Sequence, residues 1–252
     1  MTAGAVEVAT RITTLYGDDL PRHAGVVHVT SAWRAPDGGL LSLAINEVTP
    51  ASTTDSFVLS LVRARADALV TTGRILRSEP ALTHAVAAAS GLAGWRREIM
   101  GRDAAPATAL LTSGRDLDLD HPALRGPQER LIFTTSASAK RLASAARARG
   151  IEIVADPAPT LRGLLRWLTR VRGCRSVAVE AGASTSGDLY RAPAAVDELL
   201  LSVCLAEKIP AAARGPALPD ESAIAEAGLL LQSECEREEE SGRWSFRRYC
   251  RR

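Results

Sequence analysis

Aromatic residues are scarce in this 252-residue chain, at 4%. Its core must therefore be built mainly from Ala, Leu, Val and Ile. Cysteines are few as well, at positions 174, 204, 235 and 250. No two of them form a CxxC, which removes a zinc ribbon and a thioredoxin-type redox pair. Two lie in apolar runs, as small buried thiols do in a reducing compartment. The four histidines, His23, His28, His84 and His121, show no metal-ligand spacing with one another or with the cysteines, so no metal is expected. No apolar run reaches the roughly 18 residues of a membrane span. The first residues lack the charged-then-apolar layout of a signal peptide. A soluble cytoplasmic protein with no membrane partner is the expectation. Nor is there an excess of one charge: 31 basic and 29 acidic residues leave +2. That balance argues against a dedicated nucleic-acid binder, which concentrates basic charge on one face. GxSxG, Walker and HxE…PCxxC signatures are all missing. What is present is 46% hydrophobic content over a length that suits one large domain or two small ones.

The periodicity alternates between strand and helix. Strands are expected over 26–33, 40–45, 68–73, 107–111, 130–135, 151–154 and 176–180. Helices are expected after the cap candidates Ser52 to Asp55, over 136–149 and over 160–171. A short helix is expected from Ser184 to Tyr190, and a helix plus an irregular loop over 84–105. Such alternation implies an α/β sheet, largely parallel, with helices on both faces. The end of the chain differs. Val196 to Leu205, Gly228 to Glu234 and Trp244 to Tyr249 read as strands, with Glu236 to Gly242 as a charged hairpin loop. The acidic run and the basic tail around this loop read as solvated. An exposed apolar edge in Val196 to Leu205 would favour dimerisation, and burial of that run stays equally open. Residues 1–22 read as an N-terminal extension ahead of one domain over 23–252. Folding over the site and trailing freely both stay open for it.

In such sheets ligands bind beyond the carboxyl ends of the strands. Four strand ends carry candidate residues. Val179-Glu180-Ala181-Gly182-Ala183-Ser184-Thr185 offers small residues for a phosphate to approach, two hydroxyls and a carboxylate. Thr71 to Pro80 offers Thr72, Gly73, Arg74, Arg77 and Glu79. Its arginine forks suit phosphate or a substrate anion, and Glu79 could bond a heterocycle or sugar. Ser113 and Arg115 could hold the extra 2′-phosphate that distinguishes NADP from NAD, although the pattern alone favours a loop with a solvent-exposed arginine. Thr134 closes the set, unless its segment simply caps the next helix.

Taken together, these segments resemble the reductase domain of riboflavin biosynthesis, a member of the dihydrofolate-reductase-like fold. The matching stretches are Trp33-Arg34-Ala35-Pro36-Asp37-Gly38 at the first turn, Arg63 to Ala68 for R-x-x-A-D-A, Thr72-Gly73-Arg74 for the glycine loop, and Ser78 to Thr83 for D-D-P-x-L-T. Val179 to Ser184 stands for V-E-G-G-x-T/S, and Ala195 to Leu199 for L-V-D-E-L. The resemblance spans roughly residues 26–210. It implies a three-layer fold with a mixed, mostly parallel sheet and antiparallel C-terminal strands. It also implies NADPH as cofactor, a ribosylaminopyrimidine-like or pterin-like substrate, and a homodimer. Thr72, Gly73, Ser113, Arg115, Thr134, Gly182, Ser184 and Thr185 would hold the cofactor. Arg74, Arg77 and Glu180 would contact substrate, and Glu79 with Asp37 would be catalytic. Three departures stand out: Ala181 in place of a glycine, Thr71 and Arg74 in the glycine loop, and a longer turn at Asp37. They leave two rivals open, a non-catalytic binding or assembly relative and a reductase of a different small substrate.

Overall fold

A computed structural model describes residues 1–20, 25–84, 86 and 91–251. His23 and part of the segment 84–105 lie outside the described residues. Eleven described strands form one sheet. They are β1 (Gly25–Arg34), β2 (Leu40–Leu43), β3 (Ala68–Thr72), β4 (Ala107–Leu111), β5 (Arg130–Thr134), β6 (Glu152–Ala155), β7 (Ser176–Val179), β8 (Glu198–Cys204), β9 (Arg214–Ala217), β10 (Leu229–Glu239) and β11 (Gly242–Arg251). The main order is β10-β11-β8-β1-β7-β3-β4-β5-β6, with β2 on β1 and β9 on β2. Pairings from β8 through β1, β7, β3, β4 and β5 to β6 are parallel. β11 joins β8 antiparallel, and β10 joins β11 the same way. The sheet is thus mixed and mostly parallel, with antiparallel C-terminal strands, as the alternation of the sequence implies.

Central strands covered on both faces are mostly apolar. β3, β7 and β8 are buried throughout. One face packs against α1 (Ala3–Tyr16), α2 (Thr53–Arg65) and α4 (Leu92–Met100), through Val27, Val29, Leu69, Ala178 and Leu200. Farther along that face, α3 (Gly73–Ser78) and α5 (Ser136–Ala148) cover Leu110 and Ile132. The opposite face, with Val70, Ala109, Phe133 and Val179, packs against α6 (Leu161–Arg170) and the short α7 (Ala183–Ser186). A final helix, α8 (Glu221–Glu226), precedes β10.

The N-terminal segment belongs to the first of these layers. Thr2 caps α1 by accepting from the Ala5 amide, and Ala5, Val8, Ile12, Leu15 and Tyr16 form a buried stripe at helical spacing. Residues 3–16 are therefore a core helix rather than a trailing extension. One open alternative is decided and one further expectation is corrected. The run ending at Leu205 is not a free edge, because β11 covers β8 from Glu198 to Cys204. The charged hairpin loop shrinks to two residues, because β10 continues to Glu239. Its acidic residues are not all solvated either. Glu239 accepts from the Thr53 and Thr54 amides at the start of α2 (2.8 and 3.2 Å), and Glu234 accepts from Arg247 (2.8 Å).

A buried ionic network ties the two ends of the chain together. Glu198, fully buried, accepts from Arg248 Nε at 2.6 Å and meets Arg65 Nη2 at 2.7 Å. The Arg65 contact is close but badly angled for a hydrogen bond, so it acts as an ion pair. Arg248 Nη1 also pairs with Asp19 at 2.6 Å. α2, β8, β11 and the segment after α1 therefore converge on one carboxylate. Removing one partner of such a network strands the other charges away from water. Glu198→Ala should lower unfolding stability by about 3–5 kcal/mol, read from urea denaturation; a loss under 1 kcal/mol would show that the guanidiniums find water instead.

Candidate functional site

Adjacent parallel strands that send their chains to opposite faces leave a crevice at their carboxyl ends. β3 and β7 do this. β3 runs into α3, whose Leu76 packs with Leu110, Ile132 and Leu142 on the α5 side. β7 runs into α7, where Ala181 and Ala183 pack with Val70, Val179 and the α6 leucines on the other side. The sheet also divides here. β1 pairs with β7 over Gly25–His28 and with β2 over Ala32–Arg34, so Val29 to Ser31 lie in the fork. Along its other edge β1 pairs with β8 without a break, from Val27 to Trp33.

Glu180 is the first residue past β7. Arg63, near the end of α2, grips it with both arms: Nε to Oε1 and Nη2 to Oε2, each 2.7 Å. The third nitrogen, Nη1, donates to the Thr83 carbonyl at 3.1 Å. Burial works against the guanidinium, but the bonds to Glu180 and its charge hold the proton above its ordinary affinity. The fork geometry suits this, since a planar guanidinium matches a carboxylate bidentately. Glu79 stands beside this pair at the end of α3. Burial, then the neighbouring charge of Glu180, push its carboxyl above the usual range, and Arg63 only partly offsets them. The Glu79 carbonyl accepts from His121 Nε2 (3.0 Å), whose Nδ1 accepts from the Ala123 amide (3.1 Å). His84 completes the group. It is 5% exposed, and burial lowers its pKa to about 4.

The remaining expected residues spread along the same end of the sheet. Thr72 caps α3 by accepting from the Ile75 amide. Gly73 is required by close approach, because a Cβ there would meet Thr112 Oγ1 at 2.5 Å. Arg77 donates to the Arg115 carbonyl (3.1 Å), which fastens the loop after β4 to α3. Ser113 and Arg115 are exposed on that loop, and Ser138 donates to the Ser113 carbonyl (2.6 Å). Arg74 is exposed on α3. Gly182 is exposed, with open space where a Cβ would stand, and neither Ser184 nor Thr185 caps α7. The Ala181 methyl is buried in the α6-side core, so it does not crowd Gly182.

Two expected residues are not brought to the crevice. Thr134 is fully buried in β5, and Thr135 is the residue that caps α5. Asp37 sits at the exposed tip of the β1–β2 hairpin, where it accepts from the Gly39 amide (2.9 Å). From His28, the partner of Val179, to Arg34 is six residues, roughly 20 Å of strand, and Asp37 lies beyond that. It is a turn residue, separate from Glu79 and Glu180. Arg63, His84 and His121 are the residues that site reasoning from the sequence missed. The only signal for Arg63 was its place in the R-x-x-A-D-A stretch.

A cavity of about 710 Å³ lies at the opposite, amino end of the strands, beside Asp67, Arg102, Glu129, Arg172 and Cys174. Most of the charges named there are already engaged. Asp67 accepts from the Arg175 and Ser176 amides and pairs with Arg102 (3.1 Å), and Arg172 pairs with Glu152 (2.5 Å). Burial raises the Cys174 thiol and lowers Arg96 in this cavity, whereas Arg63, Glu79 and His84 gather at the divergent strand ends.

No family model and no curated protein matches the chain. Solved structures do. RibD of Acinetobacter baumannii superposes with a TM-score of 0.62 at 17% identity, over 92% of this chain and 59% of that one. A pyrimidine reductase-like protein of Corynebacterium diphtheriae gives 0.64 at 19% identity, over 99% and 98%. The riboflavin biosynthesis reductase Rib7 of Saccharomyces cerevisiae gives 0.56 at 12%, over 97% and 100%. The fold is that of the riboflavin-biosynthesis reductases. This chain spans about three-fifths of the RibD length and the full length of the other two.

The environment of Glu79 makes a pH prediction. Its carboxyl, ordinarily near 4.5, binds its proton more tightly in the folded chain. That contribution is complete below pH 4.5 and is lost as the pH rises through the raised value. Wild type should therefore lose stability relative to Glu79→Gln as the pH is raised from 4.5. Urea denaturation across pH would give parallel curves if Glu79 titrated as a free side chain.

Proposed function

We propose that this chain is an NADPH-dependent reductase acting on a ribosylaminopyrimidine-like or pterin-like substrate. The observation that carries the reading is the divergence of β3 and β7 at a crevice flanked by Glu79 and Glu180, in a fold shared with reductases of this kind. One solved neighbour, from Thermotoga maritima, is a deaminase and 5-amino-6-(5-phosphoribosylamino)uracil reductase. The open space at Gly182 suits a dinucleotide pyrophosphate, which needs close approach to backbone. Ser184 and Thr185 would supply hydroxyls beside it, and Ser113 with Arg115 would take the 2′-phosphate. Thr72 and Gly73 would form the floor between.

Bound NADPH supplies the hydride. The chain's own work is positioning and proton management. Arg63 fixes Glu180, and Glu180 in turn orients a polar group of the substrate. Glu79, a carboxyl that holds its proton above the ordinary range, would deliver that proton, directly or through water, to the heteroatom that gains negative charge. Arg74 and Arg77, exposed on α3, would meet an anionic group of the substrate. The reading includes a homodimer, supported by the open edge of β10, where Leu231 is exposed.

Calorimetry with NADPH and NADH tests this reading. NADPH should bind in preference to NADH. Arg115→Ala should cost NADPH about tenfold, or ~1.4 kcal/mol for one lost charge-assisted contact, and leave NADH unchanged. A folded sample that takes up no NADPH at millimolar concentration would end the reading.

A further inference from the structure

His84 has two ring nitrogens, and neither has a hydrogen-bond partner among the described residues. The side chain is nevertheless 5% exposed. Buried polar groups are nearly always paired, and an orphan marks a place that a ligand or a water fills. Its surroundings narrow the choice. Thr83, the preceding residue, gives its carbonyl to Arg63 (3.1 Å), and the His84 ring feels the charges of Glu180, Arg63 and His121. Arg63 is consumed: Nε and Nη2 serve Glu180, and Nη1 serves Thr83. No Arg63 donor is then left free beside the imidazole, where Glu180 stands. An anion would find no free donor here. A neutral group with both a donor and an acceptor would be satisfied, because a neutral imidazole offers one of each.

We propose that His84 is a specificity-determining residue of the crevice, hydrogen-bonding the uncharged, donor–acceptor edge of the substrate, while the full engagement of Arg63 by Glu180 and Thr83 leaves an anion no partner at that subsite. This rests on the reductase reading and refines it. The substrate is divided between two ends: a neutral polar edge lies at His84, and any phosphate lies toward the exposed Arg74 and Arg77.

Histidine ring signals of the full chain, labelled with nitrogen-15 and assigned with His84→Gln, test the proposal. The probes are uracil, a neutral edge, and orotate, the same ring carrying a carboxylate, each titrated with NADPH present. Uracil should shift the His84 ring signals saturably, and orotate should bind at least tenfold more weakly. His84→Leu should weaken uracil by at least tenfold, and His84→Gln, which restores a donor and an acceptor, should recover most of that loss. NADPH affinity should be the same in all three proteins. If uracil binds with the His84 signals unmoved, or if orotate binds as well as uracil, the proposal is overturned. It is overturned equally if the His84 signals ignore uracil because a resident water holds the ring. If NADPH fails to bind wild type, the reductase reading fails first, a result separate from any behaviour of His84.

Discussion

The Arg63–Glu180 pair is the contact on which the candidate site depends. It joins α2 on one face of the sheet to the strand end from which the chain leaves for the other face. Its third bond holds the carbonyl of Thr83, and so fixes the segment that carries Glu79 and His84. A bidentate pair of this kind sets direction as well as distance. With Glu180 aimed and its neighbour's charge balanced only in part, the Glu79 carboxyl keeps its proton more readily than a surface glutamate does. One guanidinium thereby fixes the surroundings of both carboxyl groups within one crevice.

The sheet supplies the place for this arrangement. β1 is longer than its neighbour β7, and past His28 its edge is left open until β2 takes it up at Ala32. β3 and β7 part at the same level. The fork and the divergence are one geometric fact, because a strand inserted between β1 and β3 must end before β2 can fold back. Packing then does the rest. Leu76 draws α3 to one face, and Ala181 and Ala183 draw the α7 turn to the other. Ala181, a departure from the glycine of the family pattern, serves that packing and leaves the space at Gly182 open.

Much of the fold was legible in the chain. β3, β4, β7 and α6 could be read from local pattern because strands buried on both faces are short, largely apolar runs and an amphipathic helix repeats its leucines. α1 was harder, since its buried stripe contains alanine and its role depends on a core built by residues far along the chain. The length of β10 was hidden by its charges: an edge strand with exposed glutamates reads locally as loop. Part of the site was legible too. Glu79, Glu180, Thr72, Gly73 and Gly182 follow from strand ends and glycine-bearing turns. Asp37 misled because a turn residue at a strand end cannot be distinguished from a site residue until the strand's length and register are known.

The sequence by itself determined the alternation of strands and helices, the burial of the central strands and the small residues after β7, because these rest on periodicity and residue size within a few neighbours. Tertiary structure alone decided that β7 inserts between β1 and β3, that Arg63 reaches Glu180 across 117 positions, and that Glu198 gathers Arg65 and Arg248. Side-chain pairing over such separations depends on strand order and crossover direction, and no local pattern encodes either.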